Sequence, residues 1–292
     1  LANEDLFNLK KLADGLGGRA LLYSHVGGGD LVAQVGVGQG TNFSDMGKGT
    51  TIVVAASDLY EEAPIWWLRV KQAADRGATL VVVNARETRL DKHANYVVRY
   101  APGDEIETLQ SLTKKDKIGP AVTQAENLVV LYGADGLDLD GSTSVAAACA
   151  AMLVETGHVG KTNNGLIGVW PHANDQGAWE LGFRPEIDLA AALKGKTVYI
   201  VAADPAGDDP ALAKALQDAK TVIVQELFQT ATAELAEVVL PAAAYTEREG
   251  TFTSGERRVQ RFYSAVPMLE GVKADYVITA GIAKHINLEL NA

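Results

Sequence analysis

The sequence predicts an α/β fold with parallel sheets. Short apolar runs alternate along the chain with longer helical segments, a pattern typical of strands joined by crossover helices. The clearest unit consists of the strand TIVVAA (51–56), the helix IWWLRVKQAADRG (65–77) and the strand ATLVVVNAR (78–86). A helix of this length between two buried strands indicates that the strands lie parallel.

Local signals mark both ends of this first helix. Pro64 suits the first helical turn, where a backbone N–H is not needed. Glu61 and Glu62 precede it closely and complement the positive end of the helix dipole. Gly77 follows the last basic residue, Arg76, and predicts the end of the helix.

Two further strand–loop–helix passages follow. The strand NLVVLYG (127–133) leads to the helix TSVAAACAAMLVETG (143–157), for which Ser142 or Thr143 is the expected N-cap. The strand ends VVAASD (53–58) and IVAADP (200–205) are similar, which suggests two halves built alike. The third passage contains the strands KTVYIVAA (196–203), TVIVQEL (221–227) and AEVVLPAA (236–243), and the helix ALAKALQDA (211–219).

Composition excludes several classes of partner. With 26 Lys and Arg against 37 Asp and Glu, the net charge of −11 disfavours nucleic acid and anionic membrane surfaces. The only cysteine, Cys149, lies in the apolar run 145–154 and is expected in the core, since one thiol forms no disulfide or cluster within the chain. That run is too short to span a bilayer, so no direct membrane insertion is expected. The opening LANEDLFNLKK has neither Met nor a signal peptide and suggests a piece of a longer protein.

The loops that leave the three strand ends are acidic. Ligands of open parallel sheets bind at these ends, and SDLYEEAP, ADGLDLDGS and DPAGDDP contain no Lys or Arg. A phosphate there would meet like charge, at a cost on the order of 4 kcal/mol for a contact at 4 Å. We therefore expect the carboxylates of these loops to lie at helix N-termini, where negative charge is favourable. They are Asp58, Glu61, Glu62, Asp135, Asp138, Asp140, Asp204, Asp208 and Asp209.

Motifs for metal binding or nucleophilic catalysis are weak. The five histidines are scattered, and no GxSxG elbow is present. Gly36, Gly38 and Gly40 have neither dinucleotide-fold nor P-loop spacing, and they precede a strand, so they predict a flexible turn.

Five stretches together resemble the molybdopterin oxidoreductase superfamily, and within it the large iron–sulfur subunit of respiratory complex I, the NADH-quinone oxidoreductase (NADH dehydrogenase) of the respiratory chain. The most specific part is ELAEVVLPAAAYTEREGTFTSGERRVQ (234–260), which lies within the stretch 218–262. The others are 3–17, 52–105, 157–185 and 273–286, so the resemblance covers most of the chain.

This resemblance implies a fold and a setting. The fold would be two Rossmann-like parallel-sheet domains, like domains 2 and 3 of formate dehydrogenase. One discontinuous domain would comprise 1–28 plus 124–292, and 40–115 would form an inserted domain. The setting would be the electron-input arm of complex I in the respiratory chain, cytoplasmic and peripheral to the inner membrane. Other peripheral-arm subunits would be the partners, and iron–sulfur clusters are expected outside this sequence.

The departures from the family pattern are at the strand ends. Where cofactor-binding members resemble Gly-x-Asn-Pro, this chain has Ala56-Ser57-Asp58-Leu59. Where they resemble Asp-Pro-Arg, whose acid reads guanine, it has Asn84-Ala85-Arg86. We therefore expect no cofactor and no catalytic or metal-binding residue in this chain. The positions Ser57, Asp58, Asn84 and Arg86 would line a vestigial pocket.

Three functions are considered, and the first is the leading hypothesis. The first is a structural, non-catalytic part of the complex I electron-input arm. The second is part of a true molybdopterin-dependent oxidoreductase, such as a formate dehydrogenase alpha chain. The third is a free-standing module that binds a nucleotide or another small ligand.

Overall fold

The structure is a computed structural model that describes residues 1–290. The chain forms two compact units. The central unit comprises Ser24–Gln176 and Ser254–Arg258. The terminal unit comprises Leu1–Tyr23, Gly177–Thr253 and the described residues from Val259 onward.

Ten strands occur within residues 1–290, in three sheets. They are β1 (Thr50–Ala55), β2 (Thr79–Val83), β3 (Tyr96–Val98), β4 (Asn127–Tyr132), β5 (Gly165–Gly168), β6 (Thr197–Val201), β7 (Thr221–Glu226), β8 (Val238–Pro241), β9 (Gly250–Thr253) and β10 (Val259–Phe262).

Thirteen α-helices occur in the same described range. They are α1 (Asn3–Gly15), α2 (Gly29–Val35), α3 (Leu59–Glu62), α4 (Pro64–Asp75), α5 (Glu105–Ser111), α6 (Ile118–Thr123), α7 (Leu139–Glu155), α8 (Asp175–Glu180), α9 (Leu189–Leu193), α10 (Pro205–Asp208), α11 (Pro210–Gln217), α12 (Ala231–Glu234) and α13 (Asp275–His285).

The central unit is built on a five-stranded parallel sheet in the order β3-β2-β1-β4-β5. Every residue of β1 is buried, because helices cover both faces of the sheet. Ile52 packs in the same cluster as Val70 of α4. The next residue, Val53, points to the other face and packs in the cluster that contains Cys149 of α7. This alternation follows from the two-residue period of a strand.

The terminal unit contains a three-stranded parallel sheet, β6-β7-β8, and an antiparallel hairpin, β9-β10. Ile200 of β6 and Val224 of β7 pack with Leu212 of α11 in its core. In the hairpin, the rings of Phe252 and Phe262 stack with centroids 4.5 Å apart. The hairpin takes up part of the segment 234–260.

A buried ion network joins distant parts of the terminal unit. Arg248 Nη2 lies 2.8 Å from Asp5 Oδ2 and 3.1 Å from Asp275 Oδ2. Asp5 also accepts hydrogen bonds from the backbone N–H groups of Ala2 and Tyr276. Burial raises the pKa of Asp5, although the charge of Arg248 acts in the opposite direction. The network thereby fixes the start of α1 against the start of α13.

The predicted fold class is confirmed: the structure is α/β with parallel sheets. The first predicted helix is α4, with Pro64 in its first turn as expected. The second, α7, begins earlier than predicted, at Leu139. The predicted caps Ser142 and Thr143 lie inside it, because Asp138 caps the helix by accepting a hydrogen bond from the Gly141 N–H.

The predicted domain boundary at residue 124 needs correction. The chain is discontinuous in the expected sense, with a central insertion, but the central unit extends to Gln176. The reason is that β4 hydrogen-bonds to β1 along its whole length, and β5 hydrogen-bonds to β4. Residues 124–176 therefore complete the five-stranded sheet.

Candidate functional site

The carboxyl edge of the five-stranded sheet brings the four predicted pocket positions together. Ser57 and Asp58 follow β1, while Asn84 and Arg86 follow β2. Because these strands are parallel neighbours, their ends meet at one edge. Arg86 Nη1 lies 3.0 Å from Asp58 Oδ2 across the two loops.

Asp135, in the loop after β4, completes a cluster around this arginine. Arg86 Nε lies 2.9 Å from Asp135 Oδ2. One guanidinium therefore links the loops that leave β1, β2 and β4. We refer to Asp58, Arg86 and Asp135 as the Arg86 clamp.

The backbone at the end of β1 turns through a left-handed residue. Ala56 has φ of 47°, a conformation that costs a non-glycine residue on the order of 1 kcal/mol. Its N–H donates to the carbonyl of Val83, and its carbonyl accepts from the N–H of Asp135. Ala202, at the corresponding point after β6, has φ of 53°. The similarity of the two strand ends in the sequence is thus matched by a shared backbone turn.

The side chains after this turn are already hydrogen-bonded within the protein. Asp58 is buried, and its Oδ1 accepts from the N–H of Tyr60 at the start of α3. Ser57 Oγ donates to Glu62 Oε2 at 2.6 Å. Burial raises the pKa of Glu62, and the neighbouring Asp135 and Asp58 act in the same direction, while the hydrogen bond from Ser57 opposes the shift.

The side chain of Asn84 is also hydrogen-bonded within the protein. The residue is 1% exposed. Nδ2 donates to Asp135 Oδ2 at 3.1 Å, and Oδ1 accepts from the N–H of Arg86 at 3.2 Å. The amide therefore shapes the loop after β2 and offers nothing to a ligand.

An open cleft of about 510 Å³ lies beside the clamp, within the range typical of small-molecule sites. Two of its lining residues, Asp58 and Arg86, belong to the clamp. The full lining is Asp58, Glu61, Arg86, Glu87, Thr88, Arg89 and Lys92. Three of these side chains are acidic and three are basic, so the cleft is balanced in charge.

Two cations of the cleft are available to a ligand. The guanidinium carbon of Arg89 lies 3.8 Å from the centroid of the Tyr60 ring, so the ring supports this side chain. Across residues 1–290, neither Arg89 nor Lys92 has a carboxylate oxygen within ion-pair distance. Arg86, in contrast, divides its charge between two carboxylates.

A fourth loop changes the charge balance expected at this edge of the sheet. The three acidic loops lack Lys and Arg, but the loop after β2 supplies Arg86, Arg89 and Lys92 to the same edge. The sequence already contains this pattern, because three cations spaced three residues apart follow a buried strand. That the four pocket positions bind no cofactor stays a prediction, but their negative charge is compensated.

The other acidic loops fit the helix-capping interpretation. Asp138, Asp204 and Asp209 accept hydrogen bonds from backbone N–H groups at the starts of α7, α10 and α11. The Tyr23 hydroxyl donates to Asp208 Oδ2 at 3.0 Å. Burial, helped by this acidic neighbour, raises the pKa of Tyr23 to about 12.

The Gly-rich stretch before β1 is a close backbone contact. A Cβ on Gly38 would lie 2.3 Å from the carbonyl oxygen of Lys161.

Among residues 1–290, no group of three or more His, Cys, Asp or Glu could hold a metal ion. In the same range, every helix is too short or too polar to cross a membrane.

Comparison with known families decides the relationship. Residues 1–285 match the molybdopterin oxidoreductase family. The chain belongs to this family. The family resemblance inferred from the sequence motifs is confirmed at this level.

Relatives in the family include oxidoreductase alpha subunits. The chain is 24% identical to F420-dependent formate dehydrogenase 2 subunit alpha of Methanococcus maripaludis, over 85% of this chain and 49% of the relative. It is 24% identical to formate dehydrogenase H of Escherichia coli, over 72% of this chain and 35% of the relative. It is also 24% identical to NADPH-Fe(3+) oxidoreductase subunit alpha of Geobacter sulfurreducens, over 82% of this chain and 38% of the relative. The chain thus spans half or less of these relatives.

A solved structure supports the fold. Acetylene hydratase from Pelobacter acetylenicus superposes with a TM-score of 0.64 at 14% identity, covering 98% of this chain and 51% of that chain. Its likeness extends over nearly the whole chain, so both units have the fold of the family.

The prediction that the chain carries no cofactor is contradicted. The chain belongs to a family described as molybdopterin oxidoreductases, and its relatives include formate dehydrogenase alpha subunits. The prediction failed because it took the absence of one acid, at Asn84, and the charge of three loops as decisive.

The cleft fits one end of a pterin dinucleotide. Arg89 and Lys92 offer N–H donors to phosphate oxygens, as such a group requires. Asn84 offers no carboxylate to guanine, and its amide is already hydrogen-bonded within the protein. The donor set therefore suits the diphosphate of the cofactor, while the base-reading part of the family pattern is missing.

Proposed function

We propose that this chain is a cofactor-holding part of a molybdopterin-dependent oxidoreductase of the formate dehydrogenase alpha-chain type. The observation that carries the proposal is the cleft at the carboxyl edge of the five-stranded sheet, in a chain of this family. Arg89 and Lys92 bind the diphosphate of the cofactor. The Arg86 clamp holds the surrounding loops in place.

The division of labour between protein and cofactor follows from these contacts. When bound, the molybdenum pterin cofactor supplies the redox chemistry. The residues of this chain would bind and orient its nucleotide end. None of the cleft residues is assigned a proton-transfer step.

Calorimetry of the full 292-residue chain with GDP, a probe for the nucleotide end, tests the proposal. We expect a Kd on the order of 10 µM at low ionic strength. The Arg89→Met variant should lose about tenfold in affinity, since a charged hydrogen bond is removed. The matched control, Lys71→Met, removes a cation that pairs with Asp75 outside the cleft and should bind like the parent. Absence of binding by the folded parent would refute the proposal.

A second candidate is a section of the large iron–sulfur subunit of complex I. Two observations support it. Segment 234–260 resembles that subunit, and the amide of Asn84 is hydrogen-bonded within the protein. Exposed apolar side chains on α4, Ile65 and Leu68, offer a surface for other peripheral-arm subunits. In that setting the chain lies in the cytoplasm and reaches the inner membrane through the complex.

Co-purification separates the two candidates. If the tagged chain, expressed in its native cells, is recovered with peripheral-arm subunits and binds no GDP, the complex I assignment is favoured. Nucleotide binding without those subunits favours the first candidate.

A further inference from the structure

The acceptors at the carboxyl edge leave little with which to read a base. Asn84 uses both amide atoms internally. Asp58 is buried, with one oxygen accepting from the Tyr60 N–H and the other from Arg86. Asp135 does not line the cleft. Among residues 1–290, no carboxylate or side-chain amide that is both held in a fixed position and free of internal partners therefore faces a base in the cleft.

The two remaining carboxylates of the cleft are exposed and are not fixed by neighbouring side chains. Glu61 and Glu87 make no side-chain hydrogen bond or ion pair within residues 1–290. A flexible surface carboxylate must lose side-chain entropy to pair with a base edge, which weakens discrimination.

One hydrogen-bond donor of the cleft, in contrast, is held in place by a neighbouring side chain. Arg89 lies over the Tyr60 ring, which restricts its guanidinium and leaves its N–H edges free. Lys92 also lines the cleft. Planar guanidinium donors match phosphate oxygens in geometry and charge.

We infer that the cleft selects its ligand by the diphosphate and does not discriminate between purine bases. The inference rests on the proposed function and names Arg89 as the residue that determines specificity. The recognised ligand class is a nucleoside diphosphate or a dinucleotide linked by a diphosphate, whatever its base.

Competitive calorimetry with four probes tests the inference: GDP, ADP, inorganic pyrophosphate and guanosine. We expect equal Kd values for GDP and ADP within about threefold, and no measurable binding of guanosine at about 1 mM. Arg89→Lys keeps the charge but loses the planar fork, and it should weaken both nucleotides by about tenfold. Lys71→Met serves again as the control that leaves both affinities unchanged.

A second pair of variants guards against an ambiguous result. Asn84→Asp should leave the ratio of GDP to ADP affinity unchanged, because position 84 faces Asp135 and the loop backbone. Glu87→Gln should leave it unchanged as well, and circular dichroism verifies that each variant is folded.

The outcomes separate the two proposals. A preference for GDP over ADP beyond about threefold would overturn the inference while the proposed function stands. Loss of that preference in Glu87→Gln would then assign base reading to Glu87. Absence of binding by all four probes would refute the proposed function itself, and the inference with it.

Discussion

Arg86 and Asp135 join two loops that are far apart in sequence, with Nε 2.9 Å from Oδ2. The same guanidinium reaches Asp58 on the other side. Its role is therefore to neutralise two carboxylates at the end of the sheet and to tie three loops together.

Replacing Arg86 by Met should destabilise the protein by about 1–2 kcal/mol. Two carboxylates lose their partner, but the arginine side chain is 51% exposed, so water screens part of the effect. Urea denaturation measures the change. The control Lys71→Met breaks an exposed pair with Asp75 and should cost about 0.5 kcal/mol or less. Equal effects of the two variants would contradict the structural role of the clamp.

Replacing Arg248 by Met should have a much larger effect, about 3–5 kcal/mol. The side chains of Arg248, Asp5 and Asp275 are all buried, so removal of the cation leaves two carboxylates uncompensated in the core of the terminal unit. Urea denaturation again gives the free energy of unfolding. Arg261→Met, which removes an exposed pair with Glu249, is the matched control and should stay within about 0.5 kcal/mol of the parent.

Glu62→Gln should stabilise the protein at neutral pH and lose this advantage in acid. Because burial raises the pKa of Glu62 above its ordinary value of 4.5, the folded state holds the proton more tightly than the unfolded state. The parent therefore loses stability as pH rises from 4.5 through the raised pKa, while the glutamine variant does not. Unfolding free energies at pH 4 and pH 7 test this. A gain that is equal at both pH values would exclude burial of the charge as its cause.

Cys149 should resist thiol reagents in the native protein. It is 0% exposed in the core cluster beside the five-stranded sheet, and burial raises its pKa to about 12. Only the thiolate is an effective nucleophile, so we expect labelling by iodoacetamide to follow unfolding. Rapid labelling without denaturant would show that α7 opens readily. The sequence predicted this core position, and its burial confirms it.

Long apolar elements could be predicted from the sequence for a physical reason. The strands β1, β2 and β4 are continuous buried runs, and α4 carries both a proline start and a glycine stop. Short elements could not. The strand β5 reads Gly-Leu-Ile-Gly and exists because it hydrogen-bonds to β4, a partner far away in sequence. Missing it moved the predicted domain boundary.

Of the four predicted pocket positions, Asp58 and Arg86 line the cleft, whereas Ser57 and Asn84 do not. Parallel strands forced Ser57, Asp58, Asn84 and Arg86 to one edge, which the order of elements already implied. The support of Arg89 by Tyr60 could not be foreseen, because it depends on how two loops after different strands approach each other. The same holds for the two internal hydrogen bonds of the Asn84 side chain.

The Arg86 clamp also affects the thermodynamics of any encounter at the cleft. Three loops that are cross-linked by one guanidinium are already ordered before a ligand arrives. Binding at such a preorganised rim loses less conformational freedom than binding to free loops. Modest contacts with a diphosphate then suffice for a measurable affinity, and association needs no slow rearrangement of the loops.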